Sequence, residues 1–390
     1  MDIAAAPLSD HPAPAVQAGI LARPKTAERR MADAIRALAI DASEQSKSGH
    51  PGLPMGMADV ATALWTRFNK FDAADPRWPD RDRFVLSAGQ GSMLLYALVY
   101  LTGHAGMSID DLRGFRQLHS PAAGHPEFGE HAAIEATTGP LGQGLATAVG
   151  MAIAERNMAA RFGKSLVDHR TWVIASDGDM MEGISHEAAV LAGQLALSKL
   201  TVLYDDSQVS NDGDASLPCA DDVLKRFAAY GWATKQVDGH DPNQINAALS
   251  FAVRSKKPTL IACRTVIDQG GPAMANSVHD ASAAPRDGAK ARLGWHEPPF
   301  TTPDDLLDRW QAAGTRGATS RRSWLKRLAR HNQRGEFERV MAGRLPDNWH
   351  EAMAELKQQI ADDRPWLASQ VSSQKCFETL ISSTPELLGG

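Results

Sequence analysis

Short apolar segments separated by helical stretches constrain this fold more than any other feature. TWVIASDG carries a continuously apolar strand over Trp172–Ala175, LTVLYDD a second, and KPTLIACRTV, near residues 257–266, a third. A fourth, shorter strand is expected at Phe84–Leu86. A strand apolar at every position has no face to give to water, so both of its faces must be covered. Between the first and second strands the sequence predicts a helix from about Ser185 to Leu197. Alternation of this kind belongs to an α/β protein with a parallel sheet and helices on both faces, three layers in all.

The remaining segments fit that frame. AERRMADAIRALAIDASEQSK puts Met31, Ile35, Leu38 and Ala39 on one helical face, and Gly49, Pro51, Gly52 and Pro54 end that helix. A following helix has Met57, Val60, Leu64 and Trp65 as its apolar stripe. SMLLYALVYLTG reads as a buried helix closing at Gly103, and HSPAAGHPEF as a loop. ATTGPLGQGLATAVGMAIAE is a glycine-rich turn opening a long helix of small residues. Residues 303–363 read as helical and more polar, and SRRSWLKRLAR as a solvated basic helix face. The expected organisation is a disordered extension over 1–25, a main domain over 26–340, and over 341–390 a helical linker and the start of a second domain.

Composition narrows the function classes. The formal net charge is −5, which gives no bulk attraction to nucleic acid or to an anionic membrane. No apolar run reaches the roughly 18–20 residues of a membrane span. The cysteines, Cys219, Cys263 and Cys376, are too scattered to form a ligand or redox pair, which fits a reducing, cytoplasmic setting. The N-terminal segment lacks the basic start and long apolar stretch of a secretory signal.

Chemistry is expected where the strands end, because ligands of parallel sheets bind beyond the carboxyl ends of the strands. Asp177 and Gly178 follow the Trp172–Ala175 strand, and the LTVLYDD strand ends at Asp205, Asp206 and Ser207. One right-handed crossover brings the two ends together. A small hard cation takes about six oxygens. Asp177 offers a carboxylate, Ser207 a hydroxyl, and Val209 its backbone carbonyl, with a diphosphate and water completing the set. Asp-Gly and Asp-Asp are also common turn formers, so the dipeptides alone do not separate a metal site from a plain βαβ unit. SAGQGS lacks the Lys-Ser/Thr of a P-loop, which argues against a nucleotide-binding protein of that class.

Longer words carry a family pattern. MADAIRALAIDASEQSKSGHPGLPMGMADV, RDRFVLSAGQGSMLLYAL, FRQLHSPAAGHPE, TTGPLGQGLATAVGMAIAE, SDGDMMEGISHEAAVLAGQLALSKL, YDDSQVSNDG and AYGWATKQVDGHD resemble, in order, the first domain of transketolase. The resemblance implies a thiamin-diphosphate-binding fold, with Mg²⁺ or Ca²⁺, and transfer of a two-carbon ketol unit between sugar phosphates. It implies Asp177 and the carbonyl of Val209 as metal ligands, with Ser207 in the place of an asparagine ligand. Gly178 would approach the diphosphate, and Gly139, Pro140 and Leu141 would lie beside the aminopyrimidine. Glu182 resembles an acidic residue that links active sites across a dimer, and His50 and His125 resemble substrate-side histidines.

Several positions depart from that pattern. Gln90 replaces a histidine that contacts diphosphate and substrate, and glutamine donates a hydrogen bond but relays no proton. His279 and Asp280 are kept, but Ser282 falls where a further histidine is expected, and Gln370 where an arginine would grip the substrate phosphate. In the family the glutamate that activates the cofactor lies on a second domain, so the resemblance implies a homodimer or a partner chain carrying that domain. Two readings follow: a component of a transketolase-like enzyme acting on sugar phosphates or related ketoses and aldoses, or a truncated, inactive paralogue with a binding or regulatory role.

Overall fold

The computed structural model describes residues 26–207, 221–266 and 288–388. Val209, His279, Asp280 and Ser282 lie outside the described residues. The chain forms two compact units, one of residues up to 77, 81–153 and 169–317, the other of 78–80, 154–168 and 318 onward.

The first unit opens with helix α1 (Ala27–Ser46) and helix α2 (Gly52–Ala63). Strand β1 (Arg83–Leu86) and helix α3 (Ser92–Leu101) follow, and a long helix α4 (Gln143–Phe162) precedes β2 (Thr171–Ala175). The crossover to β3 (Leu200–Asp206) holds a five-residue helix, α5 (Asp177–Met181), and then α6 (Gly183–Gln194). Helix α7 (Val223–Ala229), β4 (Ala233–Asp238), α8 (Pro242–Arg254), β5 (Thr259–Arg264) and α9 (Asp304–Thr315) follow. The strands form one parallel sheet in the order β1-β2-β3-β5-β4.

Alternation along each strand fills two cores, because successive side chains point to opposite faces. Phe84, Leu86, Trp172, Ile174, Leu203 and Ile261 face α1, α2 and α3. Val85, Val173, Ala175, Val202, Tyr204 and Leu260 face small residues of α4 and α6, among them Ala148, Ala152, Ala189 and Ala192. This is the three-layer α/β fold read from the sequence. Two local expectations shift. The crossover helix begins at Gly183, and a separate turn of helix starts at Asp177 itself, capped by Ser176. β4, an edge strand with polar and exposed positions, carries no continuous apolar run and gave no strand signal.

Helix α1 is buried more completely than one apolar stripe implies. Every residue from Met31 to Ser43 is buried, Asp33, Arg36 and Asp41 included. Burying such groups is affordable only when each is paired. Asp59 Oδ2 accepts from Arg36 Nη2 and from Arg29 Nη1, both at 2.6 Å. Arg36 Nη1 also reaches Asp33 at 3.0 Å, and its Nε donates to the Met55 carbonyl. His240, just beyond β4, accepts from the Val266 N–H at Nε2, so Nδ1 carries the proton and donates to Asp59 at 3.0 Å. The network ties α1 and α2 to the ends of β4 and β5.

The second unit packs Trp78, Phe162, Leu166, Trp324 and Phe337 around helices α10 (Ala318–Ala329) and α11 (Arg334–Met341). Arg339 bridges Glu336 and Glu386. Helix α12 (Trp349–Asp363) buries no residue and α13 (Ser369–Ser383) buries Ser383 alone.

The Asp59 network sets an acid dependence. Burial pushes the Asp59 carboxyl up, but Arg36, His240 and Arg29 outweigh it and hold the carboxyl below the usual carboxylate range. A depressed folded-state pKa stabilises above the unfolded value, about 3.9, and that stability is lost as pH falls below it. Asp59→Asn leaves buried arginine short of its counter-charge and should cost about 3–5 kcal/mol at neutral pH. Urea unfolding at pH 7 and pH 3 should show the gap from the parent chain narrowing in acid. An equal gap at both values would contradict this origin.

Candidate functional site

The carboxyl ends of β1, β2, β3 and β5 share one edge of the sheet, and the loops leaving them are shaped by close backbone approach. After β1 the chain makes a single 3-10 turn, Gly89–Gly91, and enters α3. A Cβ on Gly89 would lie 2.7 Å from the Gly139 nitrogen and 2.8 Å from Thr138 Oγ1, and one on Gly91 would overlap Leu53. The turn and the 138–142 loop are therefore in direct contact. Gly139 has φ +148° and Gly142 φ +78°, conformations that side chains resist.

His125 lies over the same loop, its ring 3.3 Å from where a Gly139 Cβ would stand. Tyr96 donates its hydroxyl to the His125 carbonyl at 3.1 Å. Burial, and then the nearby Arg116, lower the His125 pKa and favour the neutral imidazole. Gln90, in the turn, is half-buried, and its Oε1 is shut off from solvent with no hydrogen-bond donor. Leu141 is half-buried and Pro140 exposed. Glu182 stands beside Gly142, whose Cβ would fall 2.9 Å from the Glu182 Cβ, and it exposes its side chain to solvent. His50 is half-buried in the loop joining α1 to α2. Gln370 belongs to α13 of the second unit and is exposed.

At the end of β2, Asp177 meets the end of β3. Its Oδ2 accepts from Ser207 Oγ at 3.5 Å, so the crossover does bring together the two side chains expected to share a cation. Its Oδ1 accepts from the Tyr204 hydroxyl. Sequence reasoning assigned Tyr204 no role, yet the register holds the clue: Tyr204 pairs with Ala175 and faces the same layer, toward the chain leaving β2. Gly178 is the second residue of α5 and half-buried.

The electrostatics here are unfavourable to bare carboxylates. Burial raises the Asp177 pKa to about 6; the Tyr204 hydroxyl opposes the rise and Asp206 adds to it. Asp205 is buried and pushed up to about 7 by desolvation, against the opposing bond from Thr265, with Asp177 and Asp206 adding repulsion. A cation would relieve both. Among the described residues no three His, Cys, Asp or Glu side chains converge on one metal position. Among the described residues a metal beside Asp177 would find the hydroxyls of Tyr204 and Ser207 next to it. Next to Ser207 the ends of β3, β4 and β5 enclose a groove of about 430 Å³, lined by Asp206, Gln236, Asp238, His240 and Arg264. The β4 residues in it were missed, since a polar edge strand hides its own end.

A parallel sheet with glycine-shaped loops at its carboxyl edge is the architecture of α/β proteins that bind their ligands beyond the strand ends. The domain model described as "Transketolase, thiamine diphosphate binding domain" matches residues 27–346. A transketolase of Cereibacter sphaeroides is 49% identical over 371 residues, covering 93% of this chain and 56% of the relative. The chromosomal transketolase of Cupriavidus necator is 49% identical over 376 residues, with the same coverage. Among solved structures, transketolase from Leishmania mexicana superposes with TM-score 0.82 at 35% identity, over 93% of this chain and 55% of that one. Transketolase from Campylobacter jejuni gives 0.78 at 34% identity, over 85% and 52%. The chain belongs to the transketolase thiamine-diphosphate-binding domain family, and it spans just over half the length of these relatives.

The loop packing yields a paired test. Gly89→Ala places a methyl against backbone and should cost about 1–3 kcal/mol, the usual penalty of overpacking. Gly150→Ala, in α4 with nothing within 4 Å of its Cβ, should instead gain about 0.5–1 kcal/mol from helix propensity. Equilibrium urea unfolding of both variants reads the two signs, and a neutral Gly89→Ala would contradict the close approach.

Proposed function

We propose that this chain supplies the diphosphate-binding half of a thiamin-diphosphate-dependent ketol transferase acting on sugar phosphates, with Mg²⁺ or Ca²⁺ beside Asp177. The observation that carries the reading is the pairing of Asp177 with Ser207 at adjacent parallel strand ends, next to the loop cradle formed by Gly89, Gly139 and Gly142. Asp177 and Ser207 would hold the cation, joined by the Val209 carbonyl; Gly178 would let backbone approach the diphosphate. Gly139, Pro140 and Leu141 would flank the aminopyrimidine. When bound, the cofactor supplies a carbanion that attacks a carbonyl and a ring that accepts the resulting electrons.

The chain's own groups have narrower tasks. His125, neutral and seated on Gly139, can accept or return a proton on the substrate side. His50 is assigned to that side as well, and Ser282 to the substrate rim. Gln90 can donate a hydrogen bond to an oxygen but passes no proton. The chain spans only 56% of the length of its relative, so the remaining part of the site would come from elsewhere in the same polypeptide or from another chain, in a dimer. A cytoplasmic setting belongs to the proposal; among the described residues no helix is long and apolar enough to cross a membrane.

Gln90 and Gln370 in place of a histidine and an arginine favour a second reading, a binding or regulatory paralogue without ketol transfer. Calorimetric titration of the full chain with thiamin diphosphate and Mg²⁺ separates the outcomes. Saturable binding that disappears in Asp177→Ala supports the cofactor reading, and no heat at millimolar cofactor with folded protein removes it. Given binding, ketol transfer after addition of a second-domain chain supports the enzyme, and its absence leaves the paralogue.

A further inference from the structure

Asp179 lies two residues past the expected metal ligand and is fully buried. Its Oδ1 accepts from Ser87 Oγ at 2.6 Å and from the Gly142 N–H at 2.9 Å. Its Oδ2 accepts from the Ser176 N–H at 2.9 Å and from Ser176 Oγ at 3.0 Å. Ser87 Oγ accepts in turn from the Leu145 N–H at 3.0 Å. Every partner of this carboxylate is a neutral donor, and each lies on a segment that reaches the site. Ser87 precedes the Gly89–Gly91 turn, Gly142 closes the 138–142 loop, Leu145 lies in the first turn of α4, and Ser176 precedes Asp177.

Local packing leaves these segments little other means of alignment. Gly142 sits at φ +78° with a would-be Cβ 2.8 Å from Ser185 Oγ, and a Cβ on Gly144 would lie 2.5 Å from Ser87 Cα. With glycine at both positions the 142–144 backbone closes directly onto Ser185, Glu182, Ile184 and Ser87 and has no side chain of its own there to key it, so the hydrogen bonds carry its alignment. A buried carboxylate with four donors is costly to form and strongly directional once formed. Ionised, it accepts all four bonds. An asparagine carboxamide accepts on one oxygen only and turns its nitrogen toward two donors.

We infer that Asp179 is the positioning residue of the site: its carboxylate fixes the ends of β1 and β2 and the 138–142 loop in the one arrangement that presents Asp177 and the glycine cradle to a bound diphosphate. The inference deepens the cofactor reading and rests on it for the ligand, while its effect on the loops stands apart from any ligand. Asp179 touches no cofactor in this role and acts through Ser87, Gly142 and Ser176.

Asp179→Asn, Ser87→Ala and Ser176→Ala form a graded series, the last keeping the backbone bond from Ser176. Two readouts are taken on the full chain: amide hydrogen exchange without ligand, and titration with thiamin diphosphate and Mg²⁺. Losing bonds to a buried charge should raise exchange at Gly142 and Leu145 by about tenfold or more, with exchange in β3 and β5 unchanged. Cofactor affinity should fall by about tenfold or more in Asp179→Asn and by less in Ser176→Ala, a ranking that loss of global stability would not produce. Wild-type affinity in folded Asp179→Asn overturns the inference. If Asp179→Asn does not fold, the two serine variants decide it by the same readouts. If the parent chain binds no cofactor, the cofactor reading falls, and unchanged exchange at Gly142 and Leu145 would overturn the positioning role as well.

Discussion

Parallel pairing of five strands sends every strand's carboxyl end to one edge, and the rest of this molecule follows from that constraint. Both faces of the sheet are closed by helices, so the edge is the place where chain ends, loops and polar side chains collect. Asp177, Asp179, Asp205 and Asp206 all stand there. The apolar layers that make the sheet stable also desolvate these groups, which raises Asp177 and Asp205 toward neutrality. Structure and site are thus coupled: a better-packed sheet makes its own carboxyl edge more demanding of a counter-charge.

Three carboxylates, one buried and two half-buried, meet this demand in different ways. Asp59 is answered by two arginines and a histidine, and the result is a strut between helices and strand ends. Asp179 is answered by neutral donors from three segments, and the result is a clamp on loops. Among the described residues Asp177 has only the hydroxyls of Tyr204 and Ser207, which donate hydrogen bonds but bring no positive charge. The first two are satisfied within the protein. Among the described residues the third meets no counter-charge, and a group in that position is where an outside cation gains most.

The sheet was legible because β2, β3 and β5 are apolar at nearly every position, a pattern that only two-sided burial explains. β4 was not, because an edge strand with Lys235 and Gln236 exposed looks like loop. Asp177 and Ser207 were legible as neighbours because one crossover links consecutive parallel strands. Tyr204 and Asp179 were not, since their roles depend on strand register and on a short helix that begins one residue after a cap. Buried ion pairs were the least visible: Asp33 and Arg36 sit in a helix whose periodicity assigns them to solvent, and it is tertiary contact, such as that of Arg36 with Met55 and Asp59 of α2, that takes them out of it. Periodicity reports where apolar residues point. It is silent on polar residues that another element comes to cover.

The departures at Ser207 and Gln90 acquire a different weight beside this geometry. Ser207 Oγ stands 3.5 Å from Asp177, close enough for one cation to touch both, so the shorter side chain has not opened the pair. Around Gln90 the glycine contacts are kept, with Gly89 against Gly139 and Gly91 against Leu53. What remains unsatisfied is polar: the Gln90 Oε1 and the Thr138 Oγ1 are shielded without donors, and Asp177 and Asp205 hold protons at unusual pH. Each of these lowers the stability of the empty protein. A chain freed from ligand binding gains stability by replacing such groups with apolar ones, and the cradle would be the first place to fill. Here those costly groups are in place, which is the pattern that stored strain at a ligand site would leave.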